Sequence, residues 1–261
     1  MAYSTILNVM VGAARKAARP LQRDFGEVEN LQVSLKGPAN FVTKSDKRTE
    51  KILRDELQRA RPTYGFLMEE HGEVKGTDGQ HRWVIDPIDG TTNFIHGIPH
   101  FAISIGLERN GEIVAGVIYN PISDDLFTAE RGRGAYLNDR RLRVANRRRL
   151  EDAVVVCGIP HLGRGNHETF RAEIERVQAK VAGVRRFGAA SLDLAWVAAG
   201  RLDGYWERWL SPWDLAAGIL MVREAGGRVE DLDGGPDALA TGNVLASNDD
   251  LFLQLRDTIK G

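Results

Sequence analysis

The sequence predicts a layered α+β fold, and three features carry that expectation. An amphipathic helical pattern opens the chain, short strand-like runs fill its middle, and helices alternate with strands after residue 153. Consecutive strands followed by alternating elements suit stacked layers better than a simple βαβ repeat. A chain of 261 residues buries roughly three quarters of the surface its unfolded form exposes. The best seam is the Arg-rich stretch Arg140–Arg149, which divides an N-terminal half, residues 1–145, from a C-terminal half, residues 146–261.

Residues Ser4 to Phe25 read as a helix, because Ile6, Leu7, Val9, Met10, Ala13, Ala14, Ala17 and Leu21 recur at helical spacing. Pro20 is expected to bend or divide it. A second helix, capped by Ser45 or Asp46, runs to about Ala60, buries Ile52, Leu53 and Leu57, and stops at Arg61-Pro62. Gly37-Pro38-Ala39-Asn40 is a loop signal between them. Strands follow at Trp83–Ile85, Phe101–Leu107, Glu112–Tyr119 and Asp125–Glu130, with Asn110-Gly111 as a hairpin turn. Ala153–Ile159 is a further strand. Helices are expected at His167–Val181, Ser191–Gly200, Trp213–Ala225 and Asp249–Ile259, with strands near Gly204–Trp206 and Val244–Ser247. Gly226-Gly227 ends the third of these helices.

Composition narrows the function classes. Hydrophobic residues at 43% and charged residues at 27% exclude wholesale disorder and fibres. With 35 basic against 36 acidic residues the net charge is −1, which argues against nucleic-acid binding by bulk electrostatics. Cys157 is the single cysteine, expected buried and inert, so disulfides and zinc sets fall away and a reduced, cytoplasmic setting fits. Apolar stretches such as Ala153–Cys157 are too short to span a bilayer, so no membrane partner is expected. The first residues lack a secretory pattern. No two of the six histidines stand at metal-ligand spacing, and His71 reads as a surface residue. Walker A, G-x-S-x-G and H-E-x-x-H motifs are absent.

The chemistry concentrates in Trp83-Val-Ile-Asp86-Pro87-Ile88-Asp89-Gly90-Thr91-Thr92-Asn93-Phe94. An apolar strand runs into two carboxylates, and Pro87, which has no N–H for a sheet, should end it. Gly90 permits a tight turn, and Thr91 and Thr92 offer backbone N–H groups and hydroxyls to an anion. Two carboxylates beside an anion cradle repel a phosphate unless cations lie between them. Oxygen-only ligands point to Mg²⁺. An isolated Asp-Pro or Asp-Gly is an ordinary acidic turn; here the strand, both carboxylates, the glycine and the threonine pair occur in one register.

This string resembles the first signature of the inositol monophosphatase family of Mg²⁺-dependent, lithium-sensitive phosphatases. Trp213-Asp214-Leu215-Ala216-Ala217-Gly218 resembles its second signature. Val42-Thr43-Lys44-Ser45-Asp46, Glu69-Glu70, Gly188 and Glu207 complete an ordered match from about residue 36 to 227. The resemblance implies a layered αβαβα sandwich of the inositol monophosphatase and fructose-1,6-bisphosphatase type, and a homodimer. It implies that Glu69, Asp86 and the carbonyl of Ile88 hold one ion, and Asp86, Asp89 and Asp214 another, with two or three Mg²⁺ per site. Four carboxylates and a phosphate dianion carry about six negative charges, which two Mg²⁺ reduce to about −2 and three neutralise. It further implies that Asp46 and Thr91 orient and deprotonate the attacking water. Glu69, Asp89, Gly90, Thr91, Thr92, Gly188, Ala189, Glu207 and Asp214 would contact substrate. The residues alone favour plainer roles: a helix cap for Asp46 and Asp214, close packing for Ala216, Ala217 and Gly218, a surface charge for Glu207.

One position departs from the family pattern. Where the family has Gly-Ser-Ala-Ala or Gly-Thr-Ala-Ala, this chain has Gly188-Ala189-Ala190-Ser191. The hydroxyl at 189 is missing, Ser191 is expected to face elsewhere on its helix, and polyol contacts there fall to backbone groups. Myo-inositol 1-phosphate is the expected substrate. Family relatives that hydrolyse histidinol phosphate, fructose bisphosphate or adenosine 3′,5′-bisphosphate supply the alternatives, and the short connections around Glu207 favour a small polyol. A second expectation is binding. Eight arginines between 131 and 149 face Asp139 alone, read as a solvated face or an interdomain ion-pair set. Some bacterial relatives that the chain resembles act in transcription antitermination, which implies a transcription-complex or RNA partner.

Overall fold

The computed structural model describes residues 3–27, 33–37, 40–162, 165–235 and 237–261. Its first helix, α1 (Thr5–Phe25), starts where the Ser4 hydroxyl accepts the Leu7 N–H at 3.2 Å. Pro20 neither ends nor divides it. The proline removes one helical N–H near the C-terminal end, while burial of Ala17, Ala18 and Leu21 holds the same stripe in place on both sides of it. A two-stranded ribbon, β1 (Val33–Gly37) with β2 (Asn40–Thr43), flanks the predicted loop, of which residues 38–39 lie outside the described set. Helix α2 (Lys44–Ala60) is capped by Thr43, two positions earlier than Ser45 and three earlier than Asp46, because Asp46 serves as the reciprocal partner of a capping box.

The large sheet is built from β3 (Gly65–Met68), β4 (Gly72–Val74), β5 (His81–Asp89), β6 (Ala102–Arg109), β7 (Glu112–Asn120), β8 (Asp125–Glu130), β9 (Gly134–Leu137) and β10 (Arg140–Arg141). Its order is β10-β9-β8-β7-β6-β5-β3-β4, antiparallel except for β3 beside β5. Strand β5 does not stop at Pro87. Its register with β6 shifts between Asp86 and Asp89, so Pro87 sits in a bulge where the missing N–H costs no ladder bond.

The small sheet has the order β12-β11-β13-β15-β14, formed by β11 (Val154–Cys157), β12 (Gly183–Arg185), β13 (Gly204–Glu207), β14 (Arg228–Asp231) and β15 (Val244–Ser247). Between and outside the sheets run α3 (Thr91–Ile95), α4 (His167–Gln178), α5 (Ala190–Ala198), α6 (Pro212–Glu224), α7 (Ala238–Thr241) and α8 (Asp249–Lys260). Three cores define the layers. Met10, Leu21, Leu53 and Leu57 of α1 and α2 pack with Trp83, Ile85 and Ile105 of the large sheet. That sheet's Ile118 and Ala129 meet α5 and α6, which also carry Tyr205, Val156 and Val244 of the small sheet. The small sheet's other face buries Val155, Cys157 and Trp206 against Val177, Leu251 and Phe252 of α4 and α8. The alternation of Tyr205 and Trp206 between two cores is the period of two that a strand imposes. The result is a five-layer αβαβα sandwich.

In the Arg-rich stretch, Arg147 pairs with buried Asp203 at 2.9 Å, Arg148 with Asp250 at 3.3 Å and Arg149 with Glu151 at 3.1 Å. All three pairs stay on the C-terminal side of residue 146. Among the described residues, no helix is long and apolar enough to cross a membrane.

Candidate metal centre and active site

Two adjacent parallel strands and one helix start converge at the C-terminal end of β5. Met68 is opposite Ile85, and the Glu69 N–H continues the ladder by donating to the Ile85 carbonyl at 3.2 Å, which sets Glu69 beside Asp86. In a regular strand residues three apart face opposite sides. The bulge at Pro87 inserts one residue, and Asp86 and Asp89 turn to the same side. Asp214 arrives in the first turn of α6. Asp86, Asp89 and Asp214 each offer a carboxylate oxygen, and these atoms lie within 4.8 Å of one another.

Helix α6 reaches this position through close approach to the sheet. A Cβ on Gly106 would stand 2.9 Å from the Ala216 Cβ, and one on Gly116 would stand 3.1 Å from the Ala217 Cα. Gly218 faces α5, where a Cβ would meet Leu194 at 2.6 Å. The small residues of the second signature therefore allow packing, as their residue types suggest, and that packing delivers Asp214 to the cluster.

Four of the site carboxylates have an oxygen anchored by donors of the chain. Asp46 Oδ2 accepts from the Thr43 N–H at 2.7 Å and the Thr43 hydroxyl at 2.5 Å. Asp86 Oδ1 accepts from the Ile88 N–H at 2.9 Å, and Asp214 Oδ2 from the Ser211 N–H at 2.8 Å. Asp89 Oδ2 accepts from both the N–H and the hydroxyl of Ser191, at 2.7 and 2.5 Å. Capping and site membership thus coexist in Asp46 and Asp214.

Burial raises every one of these pKa values. Asp86 is pushed well above the usual carboxylate range by burial first, then by Glu69, Asp89 and Asp214, and it shares a hydrogen bond with Glu69. Asp214 rises for the same reasons, with Asp89 its strongest charged neighbour. Asp89 is pushed up to about 6, burial being opposed by the Ser191 hydrogen bonds, and Asp46 to about 7, burial being opposed by Thr43. Crowded buried carboxyls accept either protons or cations. An all-oxygen set of crowded, buried carboxyls fits a hard divalent ion, whose charge would relieve their mutual repulsion.

The remaining predicted residues surround this centre. The Thr91 hydroxyl lies 3.0 Å from the Ile88 carbonyl and 3.2 Å from Asp46 Oδ1. Thr91 and Thr92 form the first turn of α3, whose leading N–H groups have no helical acceptors. Gly90 caps α3 at φ 91°, with the Gly188 carbonyl and the Ala189 Cβ at 3.3 and 3.2 Å from where its own Cβ would stand. Glu207, partly buried rather than at the surface, accepts the Tyr205 hydroxyl at 2.6 Å; burial pushes it up to about 7. Gly158 lies against it, and a Cβ there would overlap the Glu207 carboxylate and force it to move.

Four contributors escape sequence reasoning. Asn93 donates to the carbonyls of His100 and Phe187, at 2.7 and 2.8 Å, tying α3 to the segment before α5. Glu50, fully buried, accepts the Glu70 N–H at 2.8 Å and bonds His71 Nδ1, fixing the turn that carries Glu69. Thr43 anchors Asp46. Ser191 corrects the sequence expectation outright, since it faces Asp89 instead of pointing elsewhere. The transposed Ala-Ala-Ser order was the available signal, but the contact crosses 102 residues.

Comparison with known proteins agrees with this geometry. The model of the inositol monophosphatase family matches residues 2–260. The inositol-1-monophosphatase of Mesorhizobium japonicum is 62% identical over 260 residues, 100% of this chain and 98% of the relative. The Nus factor SuhB of Escherichia coli K12 is 44% identical over 243 residues, 93% of this chain and 91% of that protein. The crystal structure of extragenic suppressor protein suhB from Bartonella henselae superposes with a TM-score of 0.96 at 60% identity, covering 98% of this chain and 99% of that one. The chain is therefore a phosphatase that belongs to the inositol monophosphatase family.

Proposed function

We propose that the protein is a Mg²⁺-dependent phosphomonoesterase that hydrolyses myo-inositol 1-phosphate, or a similar small polyol phosphate, to the alcohol and inorganic phosphate. The observation that carries this reading is the convergence of Asp86, Asp89 and Asp214 within 4.8 Å. Glu69, Asp86 and the Ile88 carbonyl would hold one ion and Asp86, Asp89 and Asp214 another. Such ions, two or three per site, would shield the phosphate charge and lower the pKa of water.

The chain's own groups supply the rest. The first turn of α3, from Gly90 through Thr91 to Thr92, would receive phosphate oxygens. Thr91 Oγ1, bonded to Asp46 Oδ1, would hold the attacking water in line with phosphorus. Asp46, raised to about 7, has the pKa of a base that takes a proton near neutral pH. Gly188, Ala189 and Glu207 face the alcohol portion, with Glu207 accepting a hydroxyl. The identity to proteins named inositol-1-monophosphatase supports the substrate. Homodimer assembly and a cytoplasmic location belong to the same reading.

Phosphate release from inositol 1-phosphate, histidinol phosphate, fructose bisphosphate and adenosine 3′,5′-bisphosphate, with and without Mg²⁺ and Li⁺, tests it. Turnover is expected to require Mg²⁺, to fall with Li⁺ and to favour the inositol ester. Asp86→Asn, which removes the shared ligand, is expected to lose at least about a hundredfold in kcat/KM; near wild-type turnover would refute the site.

A second reading adds a transcription-complex or RNA partner. Its support is the 44% identity to a protein named Nus factor SuhB and the exposed Arg140, Arg141 and Arg143. Pull-down with transcription factors and RNA at low salt, repeated with Asp86→Asn, separates binding from catalysis.

A further inference from the structure

Asp89 differs from the other site carboxylates in where its anchor comes from. Asp46 Oδ2, Asp86 Oδ1 and Asp214 Oδ2 are anchored by backbone donors two or three residues away. The donors to Asp89 Oδ2 lie 102 residues on, in the first turn of α5. No bond within the Asp89 turn does this work. Ser191 is completely buried, and its N–H stands at the second position of α5, where no helical acceptor exists. The residue that should cap α5, Ala189, has no side-chain acceptor to offer. Asp89 therefore caps α5 from outside, and Ser191 answers with two donors to a single oxygen.

Two donors occupy Oδ2, so Oδ1 is the oxygen that would serve an ion held with Asp86 and Asp214. We propose that Ser191 is a positioning residue that makes Asp89 a one-oxygen ligand and sets the affinity of the ion shared by Asp86, Asp89 and Asp214. The proposal rests on reading the acidic cluster as a metal centre. It also gives the Ala-Ala-Ser order a physical meaning. Ala189 is the extended residue before α5 and Ser191 stands in its first turn, so a hydroxyl at one position has a different target from a hydroxyl at the other. At 189 the Cβ faces Gly90 and the phosphate turn; at 191 the hydroxyl faces a metal ligand. Against the Gly-Ser-Ala-Ala pattern that the segment resembles, the hydroxyl of this chain stands beside Asp89.

The test is direct titration of the full-length protein with Mn²⁺ as the Mg²⁺ stand-in, counting free ion by electron paramagnetic resonance, with no substrate present. Wild type, Ser191→Ala, Ser191→Thr and Asp86→Asn are compared, and each is melted in EDTA. Loss of an outer hydrogen bond to a metal ligand weakens binding about ten- to a hundredfold. Ser191→Ala is expected to weaken one class of Mn²⁺ site by that factor, and Ser191→Thr, which keeps the hydroxyl, to stay within about threefold of wild type. If Ser191→Ala binds Mn²⁺ as wild type does and only melts earlier, the hydroxyl merely steadies the helix and the proposal is overturned. If wild type and Asp86→Asn bind Mn²⁺ equally, the metal-centre reading itself fails. Should Ser191→Thr be too crowded to fold, Ser191→Cys, close in volume but a weak donor, is expected to bind as Ser191→Ala does; wild-type binding by the cysteine variant overturns the proposal.

Discussion

Asp46 divides its two oxygens between folding and chemistry. Oδ2 closes the capping box with Thr43, while Oδ1 meets the Thr91 hydroxyl at 3.2 Å. Asp46→Asn separates the two tasks. An asparagine keeps a carbonyl oxygen for the Thr43 donors, so the cap survives, but its amide cannot take a proton. The expected outcome is a fall in kcat of about a hundredfold or more with a melting temperature close to wild type. Thr43→Val is expected to do the reverse, costing about 1 kcal/mol of stability with a smaller effect on kcat; urea unfolding and phosphate release on both variants decide the matter. A residue that only caps would give the opposite pair of results. Asp86 and Asp89 were legible from residue type and local spacing, whereas Asp46, Glu69 and Asp214 were marked only by the family resemblance. Ser191, Asn93 and Glu50 were not, since each acts through a partner 20 or more residues away that no local pattern marks.

At the scale of elements, the site is assembled by two irregularities. One is the bulge that carries β5 through Pro87 and turns Asp86 and Asp89 the same way. The other is the seating of α6 on glycines of β6 and β7. A valine at Gly116 would drive its branches into the backbone of Ala217, which has no rotamer to yield. Gly116→Val is expected to destabilise the fold by about 1–3 kcal/mol and to lower activity even where it remains folded, because Asp214 moves with α6. Chemical denaturation together with phosphate release at a temperature well below the melting point checks both parts. Long periodic elements such as α1 and the β6–β7 hairpin were plain from periodicity. Short ones, including β3, β9, β12 and β14, were missed because three or four residues give too few repeats to show a period. The rule that proline ends a strand also failed at Pro87, where the bulge removes the need for its N–H.

For the whole molecule, the acidic centre ties stability to both pH and metal. Burial pushes Asp89 up to about 6 and Asp46 and Glu207 to about 7, and Asp86 and Asp214 also stand well above their usual range. In the unfolded chain these carboxyls lose their protons near pH 4. Between about pH 4 and pH 7 the metal-free native state therefore holds protons that the unfolded state has released, and its stability falls as pH rises through that window. Partly buried His100, whose pKa is lowered, pulls the other way below about pH 6.5, one group against these five and Asp193, which burial also raises. Divalent ions take the place of the protons, and proton competition makes their binding tighter at higher pH. In EDTA the melting temperature is expected to drop from pH 5.5 to 7.5. Added Mg²⁺ should raise it far more at pH 7.5 than at pH 5.5. Asp86→Asn should flatten the slope in EDTA and shrink the Mg²⁺ effect, because one neutral amide replaces a carboxyl that Glu69, Asp89 and Asp214 all oppose. Thermal melts of both proteins at the two pH values measure all of this. A flat or rising profile for the EDTA-treated wild type, or an equal Mg²⁺ shift at both pH values, would mean that the buried carboxyls do not govern the stability of this fold.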